Sequence, residues 1–352
     1  MKISVISFTD KGCDLSRKLA EQMEKEELHL YTKCKRARGK TGVVFLEEGI
    51  VQWAGRQMEE KNALLFIGAC GIAVRAIAPH ITDKLNDSPV LVMDENGKYV
   101  IPVLSGHVGG ANALALAISE KTGAVPVITT ATDLRHTFAA DVFAQKNNLF
   151  IVNRQGIAAV SSKILSGETI TISVESGHLP AKICPPDGVA ITGYPPNKAV
   201  DIVVSSTEEP WDASLWLKPR MYTIGMGCRK GKEGEKIQAF IRQTMEETGI
   251  VTGQVKALAT ITLKSEEEGL LSWSRKERIP FIAYTSEELQ SVKGFVHSSE
   301  FVKRITGIDN VCERAALKAA GPGGILIYDK HGKDGMTIAV AKGNWSVNFD
   351  ER

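Results

Sequence analysis

The sequence predicts a multi-domain α/β protein, with an N-terminal, mainly parallel α/β sheet domain over 1–138, a small α+β middle domain over 139–219 and a C-terminal α/β domain over 220–352. Three observations carry this reading. Short apolar runs bounded by glycine, the mark of buried strands, alternate with Ala/Leu/Ile stretches at helical spacing. Beyond Asp133 the texture changes to short β-like pieces divided by Pro-rich turns. The chain of 352 residues is also longer than one core ordinarily serves.

In chain order, Ile3, Val5 and Ile6 form a first strand, and Asp14 is placed to cap a helix carrying Leu15, Leu19, Met23 and Leu28. The basic stretch Lys33 to Lys40 reads as a solvated loop, with an anion-binding rim as the sharper alternative. Strands follow at Leu64–Ile67, Val90–Met93, Tyr99–Leu104 and Val125–Ile128, and the helix Asn112–Thr122 joins the last two. Alternation of this kind is expected of a parallel sheet. The middle segment holds β-like pieces at 169–174, 189–192 and 200–205, closed by a linker from Glu208 to Arg220. The third segment opens with Met221 to Gly231 and continues into a helix ending near Thr248, with Ile237, Phe240, Ile241 and Met245 on one face.

Composition narrows the class of function. Hydrophobic residues are 43% and charged residues 24%, as in a globular protein, and the net charge of +2 supplies no global field for nucleic acid. The six cysteines form no C-x-x-C pair, which suits reduced thiols. No run of eighteen apolar residues occurs, so a soluble cytoplasmic protein with no membrane partner is expected.

The stretch from Leu64 to Thr132 concentrates the candidate chemistry. Two glycine turns, Gly68-Ala69-Cys70-Gly71 and Ser105-Gly106-His107-Val108-Gly109-Gly110-Ala111-Asn112, each follow an apolar run. Set side by side, they would frame a crevice at the carboxyl edge of the sheet. His107, flanked by glycines that let a ligand approach the backbone, is the candidate base, against the bland reading of a packed histidine. Arg75 and Lys84 read as surface cations or as an anion grip. Cys70 reads as a buried small residue rather than an activated thiol, and Asp94 to Gly97 as a hairpin turn. His80 and Asp83 lack a third metal ligand, so no metal site is expected. In the third segment Gly225-x-Gly227-x-x-x-Gly231 misses the dinucleotide spacing but presents Arg229 and Lys230 where turn N–H groups and two cations suit a carboxylate or phosphate. Glu266 to Glu268 read as acids opening a helix, and Glu313 lies in a helix that Asp309 is placed to cap.

The runs Gly68 to Arg75, Asp83-Lys84, Ser105 to Asn112 and Ile128 to Asp133 resemble the N-terminal domain of the cobalt-precorrin-5A hydrolase family of anaerobic cobalamin biosynthesis. Gly225 to Gly231, Glu268-Gly269-Leu270 and the helix-forming stretch Gly307 to Glu313 are similar to that family's C-terminal domain. The resemblance spans about residues 45–340. It departs from the family at Ser265 to Glu268, which leaves Glu266 and Glu267 without an implied role.

What the resemblance implies is a reaction: opening of the ring A δ-lactone of cobalt-precorrin-5A, then loss of a two-carbon unit as acetaldehyde, giving cobalt-precorrin-5B. The substrate is a tetrapyrrole edged with carboxylates. Its binding is then expected to fall on Gly71, Arg75, Lys84, Ser105, Gly106, Gly109, Gly110, Asn112, Gly227, Arg229, Lys230, Glu268 and Glu313. As a mechanism, His107 serves as general base on the attacking water, turn N–H groups near Gly109 and Gly110 stabilise the oxyanion, and Asp83 or Asp133 orients His107 or carries the proton of the carbon–carbon cleavage. No cofactor is needed, because the cobalt travels in the substrate. A homodimer and hand-over to other corrin-pathway enzymes stay open, as do two other functions: a non-catalytic tetrapyrrole carrier, and an enzyme of sugar phosphates or nucleotides.

Overall fold

The computed structural model describes residues 2–349 apart from 84–85, 108, 131–136 and 208–210. The chain divides into two compact units, Met1–Val142 and Phe143–Arg352. The first holds β1 (Lys2–Ser7), α1 (Asp10–Gln22), β2 (Glu27–Thr32), β3 (Val43–Phe45), α2 (Ile50–Glu59), β4 (Ala63–Ile67), α3 (Cys70–Ile77), β5 (Val90–Met93), β6 (Tyr99–Leu104), α4 (Ala111–Thr122) and β7 (Val125–Pro126). These strands form one sheet in the order β3-β2-β1-β4-β5-β6-β7. β4 and β5 are buried at every position, which is why they read as unbroken apolar runs. One core lies on each face of the sheet: Leu65, Leu91, Leu114 and Ile118 on one, and Trp53, Phe66, Ala73 and Ile77 on the other.

Pairing is parallel except between β5 and β6, which run antiparallel with Val90 opposite Leu104 and Met93 opposite Val100. The reversal is made by the hairpin turn expected at Asp94 to Gly97. Asp94 Oδ1 accepts the amides of Lys98 and Tyr99 at 2.8 and 2.7 Å, and Gly97 takes a φ of +69°. The expected crevice formed by two adjacent glycine turns is therefore not built. Gly68 leaves β4 at the carboxyl edge, whereas Ser105 leaves β6 at the opposite edge, beside the start of β5.

Two further expectations are corrected in this unit. Thr9, not Asp14, caps α1 by accepting the Gly12 amide at 3.0 Å. Leu28 belongs to β2 rather than to the helix.

The second unit carries two five-stranded sheets. After α5 (Ala140–Lys146), which crosses from the first unit, come β8 (Leu149–Ile151), α6 (Gln155–Leu165), β9 (Ile170–Val174), β10 (Val189–Thr192), β11 (Val200–Val204) and β12 (Ala213–Pro219), in the order β10-β9-β11-β12-β8. Most of the expected 208–220 linker is thus a strand, parallel to β11.

The last sheet follows from β13 (Tyr222–Cys228), α7 (Gly234–Thr248), β14 (Val255–Ile261), α8 (Glu268–Glu277), β15 (Phe281–Tyr284), α9 (Ser286–Gln290), α10 (Glu300–Thr306), α11 (Cys312–Ala320), β16 (Ile325–Lys333) and β17 (Met336–Lys342), in the order β15-β14-β13-β17-β16. The apolar face assigned to α7 is buried, with Ile237, Phe240, Ile241 and Met245 in one cluster with Ile224, Leu258 and Trp273. Gly225 and Gly227 lie inside β13, not in a turn. A Cβ on Gly225 would stand 1.8 Å from Cys312 O and 2.7 Å from Ala316 N, so this glycine exists to let α11 lie directly on the sheet.

Candidate functional site

In the N-terminal unit the reversal of β6 gathers a loop cluster at the edge where β5 begins. Residues 86–89 enter β5 there, and Ser105, Gly106 and His107 leave β6 beside them. The first loop is organised by Asp87, 6% exposed, whose carboxylate accepts the Thr82 amide at 3.0 Å, the Thr82 hydroxyl at 2.9 Å and the Asp83 amide at 3.1 Å. Asp83 then accepts the amides of Asn86 and Asp87 on its carbonyl, both at 2.9 Å, and the Asn86 side chain on its carboxylate. Sequence reasoning singled out Asp83 and missed Asp87, which sets its position.

The second loop is tight. Ser105 sits in the left-handed region at φ +56°, a conformation that disfavours a side chain by roughly 1–2 kcal/mol. Its hydroxyl is buried without a hydrogen-bond partner. A Cβ on Gly109 would fall 2.3 Å from the Ser105 Cβ, and one on Gly106 would fall 2.8 Å from Asn112 Oδ1, so both glycines are required by close approach. Asn112, buried at the start of α4, donates to Thr130 Oγ1 at 3.2 Å and ties this turn to the segment leaving β7. Since β7 runs parallel to β6, that segment emerges at the same edge.

The fold therefore brings Asp83, Ser105, Gly106, His107, Gly109, Gly110 and Asn112 to one edge of one sheet. Lys84 and Asp133 lie outside the described residues. Three N–H groups at the end of this turn are engaged: Ala111 donates to Ser105 O at 3.1 Å, Asn112 to Gly106 O at 2.9 Å and Gly110 to His107 O at 3.0 Å. The amide expected of Gly110 as an oxyanion donor is committed to holding the His107 backbone.

Gly71 and Arg75 are separated from this set. They belong to α3, which starts at the carboxyl edge of β4, and the exposed Arg75 guanidinium donates to Gly71 O at 3.1 Å. Cys70, expected to be buried, is exposed. That edge is the topological switch point, because β2 and β3 extend the sheet on one side of β1 and β4 and β5 on the other. Thr9 Oγ1 donates to Glu95 there at 3.0 Å.

In the C-terminal domain Arg229 and Lys230 are exposed where β13 ends, and Gly231 alone takes the left-handed turn conformation, at φ +71°. The amides that the sequence offered to an anion are filled from within. Glu267, 8% exposed, accepts the Gly231 and Lys232 amides at 2.7 and 3.1 Å, and Lys264 Nζ donates to its other oxygen at 3.1 Å. Glu268, the expected binding acid, is exposed and pairs with Arg275 at 3.1 Å.

Glu313 is fully buried and surrounded by five donors: the amides of Val296, His297 and Lys330 at 2.7, 3.0 and 2.8 Å, Asn310 Nδ2 at 2.8 Å and His297 Nδ1 at 2.8 Å. Burial alone would raise this carboxyl; the His297 ring and the amides outweigh it and hold it below the usual glutamate range. Asp309 does not cap α11. It pairs with Arg314 at 2.7 Å, while Asn310 Oδ1 accepts the Glu313 amide at 3.0 Å.

Among the described residues no group of three or more His, Cys, Asp and Glu could hold a metal ion, and no helix is long and apolar enough to cross a membrane.

Comparison with known proteins matches 52–133 to the family described as Cobalamin synthesis G N-terminal and 222–341 to Cobalamin synthesis G C-terminus. A cobalt-precorrin-5A hydrolase of Priestia megaterium is 30% identical over 354 residues, covering 96% of this chain and 94% of that protein. The chain belongs to the cobalt-precorrin-5A hydrolase family. A second member, from Salmonella typhimurium, is 30% identical over 348 residues, with 96% of this chain and 97% of the relative covered. Family membership places the chain in cobalamin synthesis, and all the residues singled out in the two sites fall inside the two matched segments. Residues 134–221, between those segments, include the middle sheet, whose sequence carried the fewest distinctive motifs.

Proposed function

We propose that this chain hydrolyses the ring A δ-lactone of cobalt-precorrin-5A and releases acetaldehyde, giving cobalt-precorrin-5B. Support comes from the names of its full-length relatives. On the structural side it comes from one observation, the gathering of the Asp83 loop and the Ser105–Asn112 turn at a single sheet edge.

In this reading His107 takes a proton from the water that attacks the lactone carbonyl, Asp83 or Asp133 orients it, and the Gly109 amide serves the oxyanion. The Ser105 hydroxyl, buried without a partner, is available for substrate once the turn opens slightly. Lys84 supplies a cation for the peripheral carboxylates at this edge, and Arg229 and Lys230 are exposed cations of the C-terminal domain's own surface. Cobalt enters and leaves as part of the substrate, and no cofactor of the protein's own is invoked.

His107→Ala tests the reading. A base of this type contributes about 10²–10⁴-fold, so lactone opening by the variant should fall by that factor. Full acetaldehyde release by the variant removes His107 from the scheme.

A further inference from the structure

Opening a lactone with water leaves a carboxylate and a hydroxyl, and loss of the two-carbon unit as acetaldehyde then requires a second proton transfer. The hydroxyl proton must leave, the carbon–carbon bond must break with its electron pair passing to the macrocycle carbon, and that carbon must take up a proton. No oxidant or reductant enters. A base is needed for this step as well as for the first.

The C-terminal domain holds a histidine built for such a task. His297 Nδ1 donates to the buried Glu313 Oε1 at 2.8 Å, and that carboxylate is acceptor-only, so the ring is fixed in the tautomer that leaves Nε2 with its lone pair. The His297 side chain is 44% exposed, so Nε2 is accessible. Asp329 Oδ2 lies 3.9 Å from Nε2. Among the described residues, the charged groups paired with the ring are Glu313 from α11 and Asp329 from β16, with His331 Nδ1 3.4 Å from the other Asp329 oxygen and the Lys330 amide donating to Glu313.

Loop closure alone does not require this imidazole. Three amides and Asn310 already satisfy Glu313 without it. The site also sits at the end of the domain where β13 delivers Arg229 and Lys230. Asn310 donates to His297 O at 2.9 Å, and the next residue, Val311, lies 3.9 Å from where a Gly227 Cβ would stand.

We propose that His297, positioned by Glu313, is the base of the carbon–carbon cleavage: Nε2 accepts the hydroxyl proton as the bond breaks and returns it to the macrocycle carbon. The inference rests on the hydrolase reading above.

The test uses the purified full chain under anaerobic conditions with cobalt-precorrin-5A. It follows the lactone-opened species, one water heavier than substrate, separately from trapped acetaldehyde. His297→Ala and His297→Gln should slow acetaldehyde release by about 10²–10⁴-fold. The lactone-opened intermediate should then accumulate. Glu313→Gln should retain the ring and shift the pH profile of acetaldehyde release. Should Glu313→Gln not fold, the two His297 variants, altered at a half-exposed side chain, carry the test. Wild-type acetaldehyde release by both variants at every pH, or equal slowing of both steps, overturns the assignment. A wild-type protein that opens no lactone overturns the hydrolase reading instead.

Discussion

Glu267 Oε1 lies 2.7 Å from the Gly231 amide nitrogen, so the turn that presents Arg229 and Lys230 is closed by the protein's own carboxylate. The same oxygen takes the Lys232 amide, and Lys264 balances its charge. An anion bound beside Arg229 and Lys230 therefore does not have the Gly231 and Lys232 amides to hold it.

Glu267→Ala leaves two amides and Lys264 without their partner, and should lower stability by about 1–3 kcal/mol. Denaturant melts measure this. An unchanged midpoint means the turn holds its shape without Glu267.

Gly225→Ala places a methyl group where Cys312 O and Ala316 N stand. Both are backbone atoms that cannot swing aside, so α11 must lift from β13. A loss of about 1–3 kcal/mol or more is expected. Gly231→Ala, also strained by its positive φ but with open space around it, should cost about 1 kcal/mol. Thermal melts that rank the two in the opposite order contradict the packing role of Gly225.

Ser105 gives a two-way test. Ser105→Gly removes the left-handed strain and should raise stability by about 1 kcal/mol. Ser105→Ala keeps the strain but deletes a hydroxyl that has no partner in the fold, so its stability should stay close to wild type. A raised KM in Ser105→Ala with a wild-type melting curve marks the hydroxyl as a substrate contact. An unaltered KM removes it from the site.

Acid should weaken the second unit. Glu313, Asp201 and Glu175 are each opposed by burial yet held below their ordinary values by donors: the His297 ring and amides for Glu313, Lys163 and Thr171 for Asp201, and the Ser206 amide and hydroxyl for Glu175. A carboxyl depressed in the folded state contributes stability that is complete above its unfolded value, about 4, and is lost as pH falls through the folded one. Denaturant midpoints should hold from neutrality down to about pH 5 and then fall steeply. Glu313→Gln should be less stable at neutral pH and show a shallower acid slope. A slope equal to that of wild type means Glu313 is not among the groups that titrate.

Much of this fold was legible in the sequence. The limits of β5 and β6 agree to the residue with the apolar runs Val90–Met93 and Tyr99–Leu104, and the buried face of α7 follows from its 3.6-residue period. Strand direction was not legible, because an apolar run reads alike in either sense. The turn at Asp94 to Gly97 was recognised, yet its consequence, that β6 carries His107 to the edge opposite Gly71, depends on pairing. Glu267 and Asp87 escaped for a related reason. A carboxylate that caps amides across a loop carries no periodic signal, whereas the exposed Glu268 beside Glu267 matched the pattern. His297 lacked any flanking motif, and only the burial of Glu313 sixteen residues on gives it a role.

The most direct test is an anaerobic incubation of the purified full chain with cobalt-precorrin-5A, following lactone loss and acetaldehyde in the same sample. The account predicts that lactone disappears and acetaldehyde appears in equal amounts, with no added cofactor. Tight binding of substrate and product with no acetaldehyde released would contradict it and mark the protein as a carrier.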